Sequence, residues 1–145
     1  MAVRTVQLGR PVLVILAAWG LLSLAGCGGP KLVPVSGAVT LDGKPLSHGA
    51  VSFNADAAKG NTVTVSCLGR LNEQGQYQLK TTGVKKSESG AGAPLGWYKV
   101  TLMTGLPGDP EITVNPKYLD PTKTPLSIEV VENPAPGQYD FKLTK

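Results

Sequence analysis

Three runs of this chain open in the same way, and together they restrict it more than any other feature. They are GQYQL at Gly75 to Leu79, GWYKV at Gly96 to Val100, and GQYDF at Gly137 to Phe141. In each, a glycine precedes a tyrosine by two residues and an apolar residue follows two later. That period of two is the signature of a strand with one face buried. The predicted inward sets are Tyr77 and Leu79, then Tyr98, Val100 and Leu102, then Tyr139, Phe141 and Leu143. Tyrosine suits the start of such a strand, because its ring can be buried while its hydroxyl still reaches a partner.

The same alternation occurs elsewhere. VSGAVTL puts Val35, Gly37, Val39 and Leu41 on one face, and Asp42-Gly43 supplies a turn. AVSFNA turns Val51, Phe53 and Ala55 one way. NTVTVSCL, Asn61 to Leu68, turns Val63, Val65 and Cys67 inward, and LSIEVVE does so with Ile128 and Val130. Beyond Cys27 no segment has a helical period, and glycine and proline recur often enough to end helices early. About seven strands joined by Gly-, Pro- and Asp-rich turns predict an all-β fold, an antiparallel β-sandwich of Ig-like kind. Two connections are longer. Thr81 to Leu95 has the composition of a mobile loop. Thr104 to Pro125, with five prolines, predicts a stiff one with room for a short strand at Glu111 to Val114.

The N-terminus is of a different character. Arg4 and Arg10 precede an apolar run from Val12 to Ala25, the layout of an export signal. At roughly 14 residues the run falls short of the ~20 that cross a bilayer core. It ends in Leu24, Ala25, Gly26 and Cys27, which resembles the lipobox of bacterial lipoproteins. That resemblance implies cleavage after residue 26, a diacylglyceryl thioether on Cys27, and usually a further fatty acyl chain, palmitate among them, on the new amino terminus. Each buried methylene contributes about 0.8 kcal/mol, so two or more chains anchor stably where one does not. The expected organisation is a signal peptide at 1–26, a lipidated tether at 27–34 and the β-domain at 35–145. From Cys27 to Pro34 the tether reaches at most about 25 Å. Gly28, where proteobacterial inner-membrane lipoproteins carry aspartate, favours the outer membrane within the cell envelope, with the domain facing the periplasm or the cell surface.

Charge narrows the partners. The formal net charge of +4 includes Arg4 and Arg10, so the chain without its leader is near +2, with both signs interspersed. A nucleic-acid surface needs clustered cations, and none is predicted. Lys85 and Lys86, followed by Glu88, are expected in a solvated loop. With Cys27 acylated, Cys67 has no partner for a disulfide. It continues an apolar face and is expected to be a buried small hydrophobe, with no basic neighbour to make it reactive.

SGAVTLDGKPLSHGAVSF, Ser36 to Phe53, resembles the opening of carboxypeptidase regulatory-like domains, which have a transthyretin-like (prealbumin-type) sandwich. NEQGQYQLKT and APLGWYKVTL are similar to the next two elements of that family. Small lipoproteins of planctomycete-type bacteria share, in addition, NPKYLDPTKTPLSIEV and the closing YDFKL. The likeness covers most of residues 33 to 143. It implies a domain that is not an enzyme, holds no cofactor, and serves as a folding, spacer or interaction module. Trp97 departs from the pattern, since such strands often carry a small or charged residue there.

The residues agree on chemistry. The single histidine, His48, sits beside Gly49 in a predicted exposed turn, and neither a G-x-S-x-G nor a phosphate-cradling loop is present. No metal first shell is spelled out. Asp109, Glu111 and Asp120 lack calcium-loop spacing and are expected to be solvated loop acids. Trp97 is the one candidate interaction residue. By alternation it lies off the core face beside Lys99, either as a platform for a sugar or a protein, or covered at the sandwich edge. The partners expected are therefore a membrane, through lipid on Cys27, and an unspecified envelope protein or glycan. In the glycan case Trp97 and the Pro-rich loop would form a carbohydrate-binding surface.

Overall fold

The computed structural model describes residues 29–83 and 90–145. The expected signal peptide, Cys27, Lys85, Lys86 and Glu88 lie outside the described residues.

The fold is an all-β sandwich. Its larger sheet is built from β4 (Ala50–Ala55), β5 (Ser66–Arg70), β7 (Lys80–Thr82), β8 (Gly90–Ala91), β10 (Gly96–Met103) and β11 (Ser127–Val130). The order is β11-β10-β4-β5-β7-β8, antiparallel throughout. The smaller sheet centres on β2 (Ser36–Leu41), flanked by β3 (Lys44–Pro45), β6 (Gln76–Gln78) and β12 (Phe141–Leu143). A separate short pair joins β1 (Leu32–Val33) to β9 (Ala93–Pro94). One pairing departs from the antiparallel rule: β12 lies parallel to β2, matching Phe141 with Val39 and Leu143 with Leu41.

The alternation places the core where the sequence predicts it. Val39, Val51, Cys67, Tyr98 and Val100 are fully buried, and Phe53, Tyr77, Leu79, Phe141 and Leu143 nearly so. The sheets meet at Phe53, whose ring centroid lies 5.8 Å from Tyr98, 6.1 Å from Phe141 and 6.4 Å from Tyr77. Tilted and edge-on arrangements at such distances suit the ring quadrupoles. The buried hydroxyls are partnered: Tyr77 donates to the Tyr139 carbonyl at 2.7 Å, and Tyr98 to the Pro94 carbonyl at 2.9 Å, four residues upstream. The Tyr98 bond is the backbone tie of a tyrosine corner. Asp42 (φ 50°) and Gly43 (φ 78°) form the tight turn between β2 and β3, where two successive positive φ values match the twist of the strands they join. At Gly37 the requirement is close approach. A Cβ there would stand 2.1 Å from the Tyr139 carbonyl oxygen, so only glycine lets β2 pass under the chain that enters β12.

Several elements differ from the alternation pattern. Asn61 to Val65 is not a strand, and β5 begins at Ser66. The Asn61 side chain accepts from the Val63 N–H at 3.2 Å and donates to the Trp97 carbonyl at 2.8 Å. This local bonding competes with a ladder, although Val63 and Val65 still pack on the core. Gly137 to Asp140 is a turn, held by Gln138 N–H to Ala135 O and Asp140 N–H to Gly137 O, so the last strand starts only at Phe141. Glu111 to Val114 is not a strand either. Pro116–Tyr118 forms a 3-10 turn instead, capped by the Asn115 side chain accepting from Lys117 N–H. The sandwich also includes residues before 35: Leu32 and Val33 pair with β9, and Val33 is buried.

Candidate functional site

Trp97 is the second residue of β10, opposite Glu129 of β11. Its backbone carbonyl accepts from Asp56 N–H and from Asn61 Nδ2, which fixes the residue at a corner of the large sheet. The indole is half-buried, and the Lys59 ammonium sits 3.7 Å from its ring centroid while donating to Ser127 Oγ at 2.9 Å. A cation over an indole face is a favourable contact in itself. One face of the ring is therefore engaged within the molecule. The sequence gives no sign of this, because Lys59 arrives from the 3-10 turn Ala57–Lys59, far from Trp97 in the chain.

The Pro-rich connection is fastened at the other end of β10. Asp109 accepts from Gly49 N–H at 2.9 Å and from the Arg70 guanidinium at 2.7 Å, with His48 Nδ1 4.0 Å away. Its carboxylate is nearly inaccessible (8 %), and charge-assisted bonds of this kind are among the stronger ones. His48 lies at a bend beside this clasp with its side chain 41 % exposed, in keeping with the turn position that the sequence pattern predicts. Six residue steps along β10 take Trp97 to Met103, beside which Gly49 lies, a span of roughly 20 Å. The structure thus does not bring Trp97 and the clasped part of the loop to one place.

The three loop acids have separate tasks. Asp109 is the clasp, Glu111 is exposed, and Asp120 accepts from the Thr122 N–H and hydroxyl and pairs with Lys123. The Thr122 bonds hold the Asp120 carboxyl below its usual range. Among the described residues no group of three metal-ligating side chains converges. Cys67 is a free, fully buried thiol, 3.2 Å from Thr81 Oγ1. Burial pushes its pKa up, with Thr81 partly opposing, which disfavours the reactive thiolate.

The feature that inspection of single strands misses is a groove of about 1000 Å³ on the outside of the sandwich. Gln76 to Thr82 leaves the small sheet as β6 and joins the large one as β7: Leu79 N–H bonds Val35 O, and Leu79 O accepts from Gly92 N–H. Along this bent run Gln76, Gln78, Lys80 and Thr82 all face outward. Ser36 and Ala38 of β2 line the groove on one side, and Ser66, Leu68 and Arg70 of β5 on the other. Asp140 closes one end, its carboxylate accepting from Ala38 N–H at 2.8 Å. Tyr77 lies beneath. Its hydroxyl is pushed up in pKa by burial first and by the Asp140 charge second, so it stays a neutral donor to Tyr139. Each outward set was legible as the polar half of an alternating strand, but their convergence depends on the bend at Leu79.

Comparison with protein-family models, with curated proteins and with solved structures gives no match for this chain. What the fold and the site define is a class: an all-β sandwich with a polar groove on its outer surface.

Proposed function

We propose that this protein is a lipid-anchored component of a bacterial cell envelope, held through acylated Cys27, whose sandwich is a non-catalytic spacer or interaction module. One observation carries the reading: the run Leu24-Ala25-Gly26-Cys27 at the end of an apolar segment preceded by Arg4 and Arg10. The position of β1 supports it, because four residues then lie between the lipidated cysteine and Leu32, five steps that reach at most about 18 Å. The domain would hang just above the headgroups. The resemblance to carboxypeptidase regulatory-like domains and to small planctomycete-type lipoproteins is consistent with an all-β module that brings no catalytic constellation of its own. Outer-membrane placement follows from the glycine at position 28, if that sorting rule operates.

The test is Cys27→Ser in the native or a lipoprotein-processing host. Labelled palmitate should enter the parent protein and not the variant, and the variant should either keep its leader or appear in the soluble fraction. Unchanged processing together with unchanged membrane attachment in the variant would overturn the proposal.

A further inference from the structure

We infer that the groove between β2/β6 and β5/β7 is a binding site for a neutral polysaccharide chain. Its lining is the first reason. Gln76 and Gln78 carry paired amide donors and acceptors, and Ser36, Ser66 and Thr82 carry hydroxyls that do both. Sugar hydroxyls have the same dual character, so each can be matched by a lining group. These side chains are also uncommitted. Ser36, Ser66, Gln78, Lys80 and Thr82 make no side-chain hydrogen bond to another described residue, and Gln76 makes only a long one, 3.4 Å, with Asn72. Trp97 presents the opposite case, with its ring face and carbonyl already engaged.

Charge is the second reason. The groove holds Arg70, Lys80 and Asp140, but the Arg70 guanidinium is already neutralised by Asp109. The remaining field is close to balanced, which does not select a polyanion. Leu68 is the third. It is 38 % exposed on the groove wall, an apolar patch among polar groups, suited to the C–H face of a pyranose ring. The groove, about 1000 Å³, is open to solvent rather than enclosed, so it suits a chain lying along the surface and not a small molecule buried within it.

Over Ser66 to Leu68 the β5 wall is paired on both edges, by β4 and by β7, so it offers side chains there rather than open backbone. Because the lining groups sit on strands, their spacing is fixed before a ligand arrives, which lowers the ordering cost of binding.

The experiment uses the full processed protein in detergent micelles. Its retention is measured by co-sedimentation with cellulose, chitin and peptidoglycan sacculi, and by affinity electrophoresis through gels containing xylan, dextran or laminarin. We expect retention on at least one of the neutral polymers, insensitive to added salt. The double variant Gln76→Ala/Gln78→Ala should weaken it about 5- to 30-fold, as the loss of one or two hydrogen bonds at ~1 kcal/mol each predicts. Leu68→Asp, an outward substitution on β5, should do the same and provides a second route if the double variant fails to fold, as judged by its thermal melt. Trp97→Ala should stay within about twofold of the parent, a change worth less than 0.5 kcal/mol at RT per e-fold. No retention on any neutral polymer, retention on the charged sacculi alone, retention unaltered by both groove variants, loss on Trp97→Ala alone, or abolition by salt would each overturn the inference. The site does not depend on the anchor: Cys27→Ser protein is expected to bind as the parent does, so failure of the anchor and failure of the groove read out separately.

Discussion

The core between the sheets and the Pro-rich connection from Thr104 to Pro125 are both held in place, by opposite means. In the core, Phe53, Tyr77, Tyr98 and Phe141 interlock, and the few polar atoms among them are satisfied by backbone. The connection contributes only Val114, Tyr118 and Thr124 as buried residues, and it is fastened to the rest of the fold by separate polar ties at Asp109, Tyr118 and Thr124. Burial of apolar area is non-directional and shared among many neighbours, whereas a polar tie is local and can be cut one at a time. The difference teaches where change is tolerated: the core should fail as a unit, and the connection should fail point by point.

The largest effect that would sharpen this contrast is Phe53→Ala. Truncating a fully enclosed aromatic should cost about 3–5 kcal/mol, because transfer and cavity terms add. Denaturant unfolding should move as a single transition, and a shift below about 1 kcal/mol would show that the sheets are not coupled through this ring. Alkaline pH comes next. Burial pushes Tyr98 up to about 12, and Tyr77 is raised by burial and by Asp140. Unfolded tyrosine ionises near 10, so the folded state favours the neutral phenols. Stability from these groups should be fully present below about pH 10 and be lost as pH rises through the folded values. Denaturant midpoints followed from pH 8 to pH 12, alongside tyrosinate absorbance, should show the loss and the ionisation together; ionisation without loss of structure would separate them.

Asp109→Ala probes the other region. It removes the acceptor for Gly49 N–H and the partner of Arg70, at a cost of about 1–2 kcal/mol. The expected signature is local: proteolytic cleavage between Thr104 and Glu111 should accelerate while core protection in hydrogen exchange is kept. A uniform loss of protection would erase the distinction between the regions. The smallest effect is Lys59→Ala, about 0.5–1 kcal/mol from the lost cation contact, read as a change in Trp97 fluorescence with little change in melting.

How far the sequence is legible follows from the same physics. β2, β4, β10 and β11 are visible because one face of each is buried, and burial imposes the period of two. Asn61 to Val65 alternates just as well, but the Asn61 side chain bonds the local backbone and removes that stretch from the ladder. Glu111 to Val114 alternates weakly and has no paired neighbour. The parallel placement of β12 is a matter of where the preceding turn delivers the chain, which no short window encodes. For the site, Trp97 is conspicuous in the sequence because it is large and breaks the pattern, yet its neighbour Lys59 could not be foreseen. The groove was hidden for the converse reason: its residues are the ordinary outward halves of alternating strands, drawn from four of them.

The short pairing of β1 with β9 has a mechanical meaning. Among the described residues, a load reaching the domain from its N-terminal side meets a two-residue strand first, together with the Lys31–Glu132 ion pair. Behind it stands β2, six residues long and paired on both edges. Under tension β1 should peel before β2 is stressed, paying out about 3.4 Å of chain per residue released. The beginning of the fold is thus a yielding link, set between whatever holds the N-terminus and the rigid body that carries the groove.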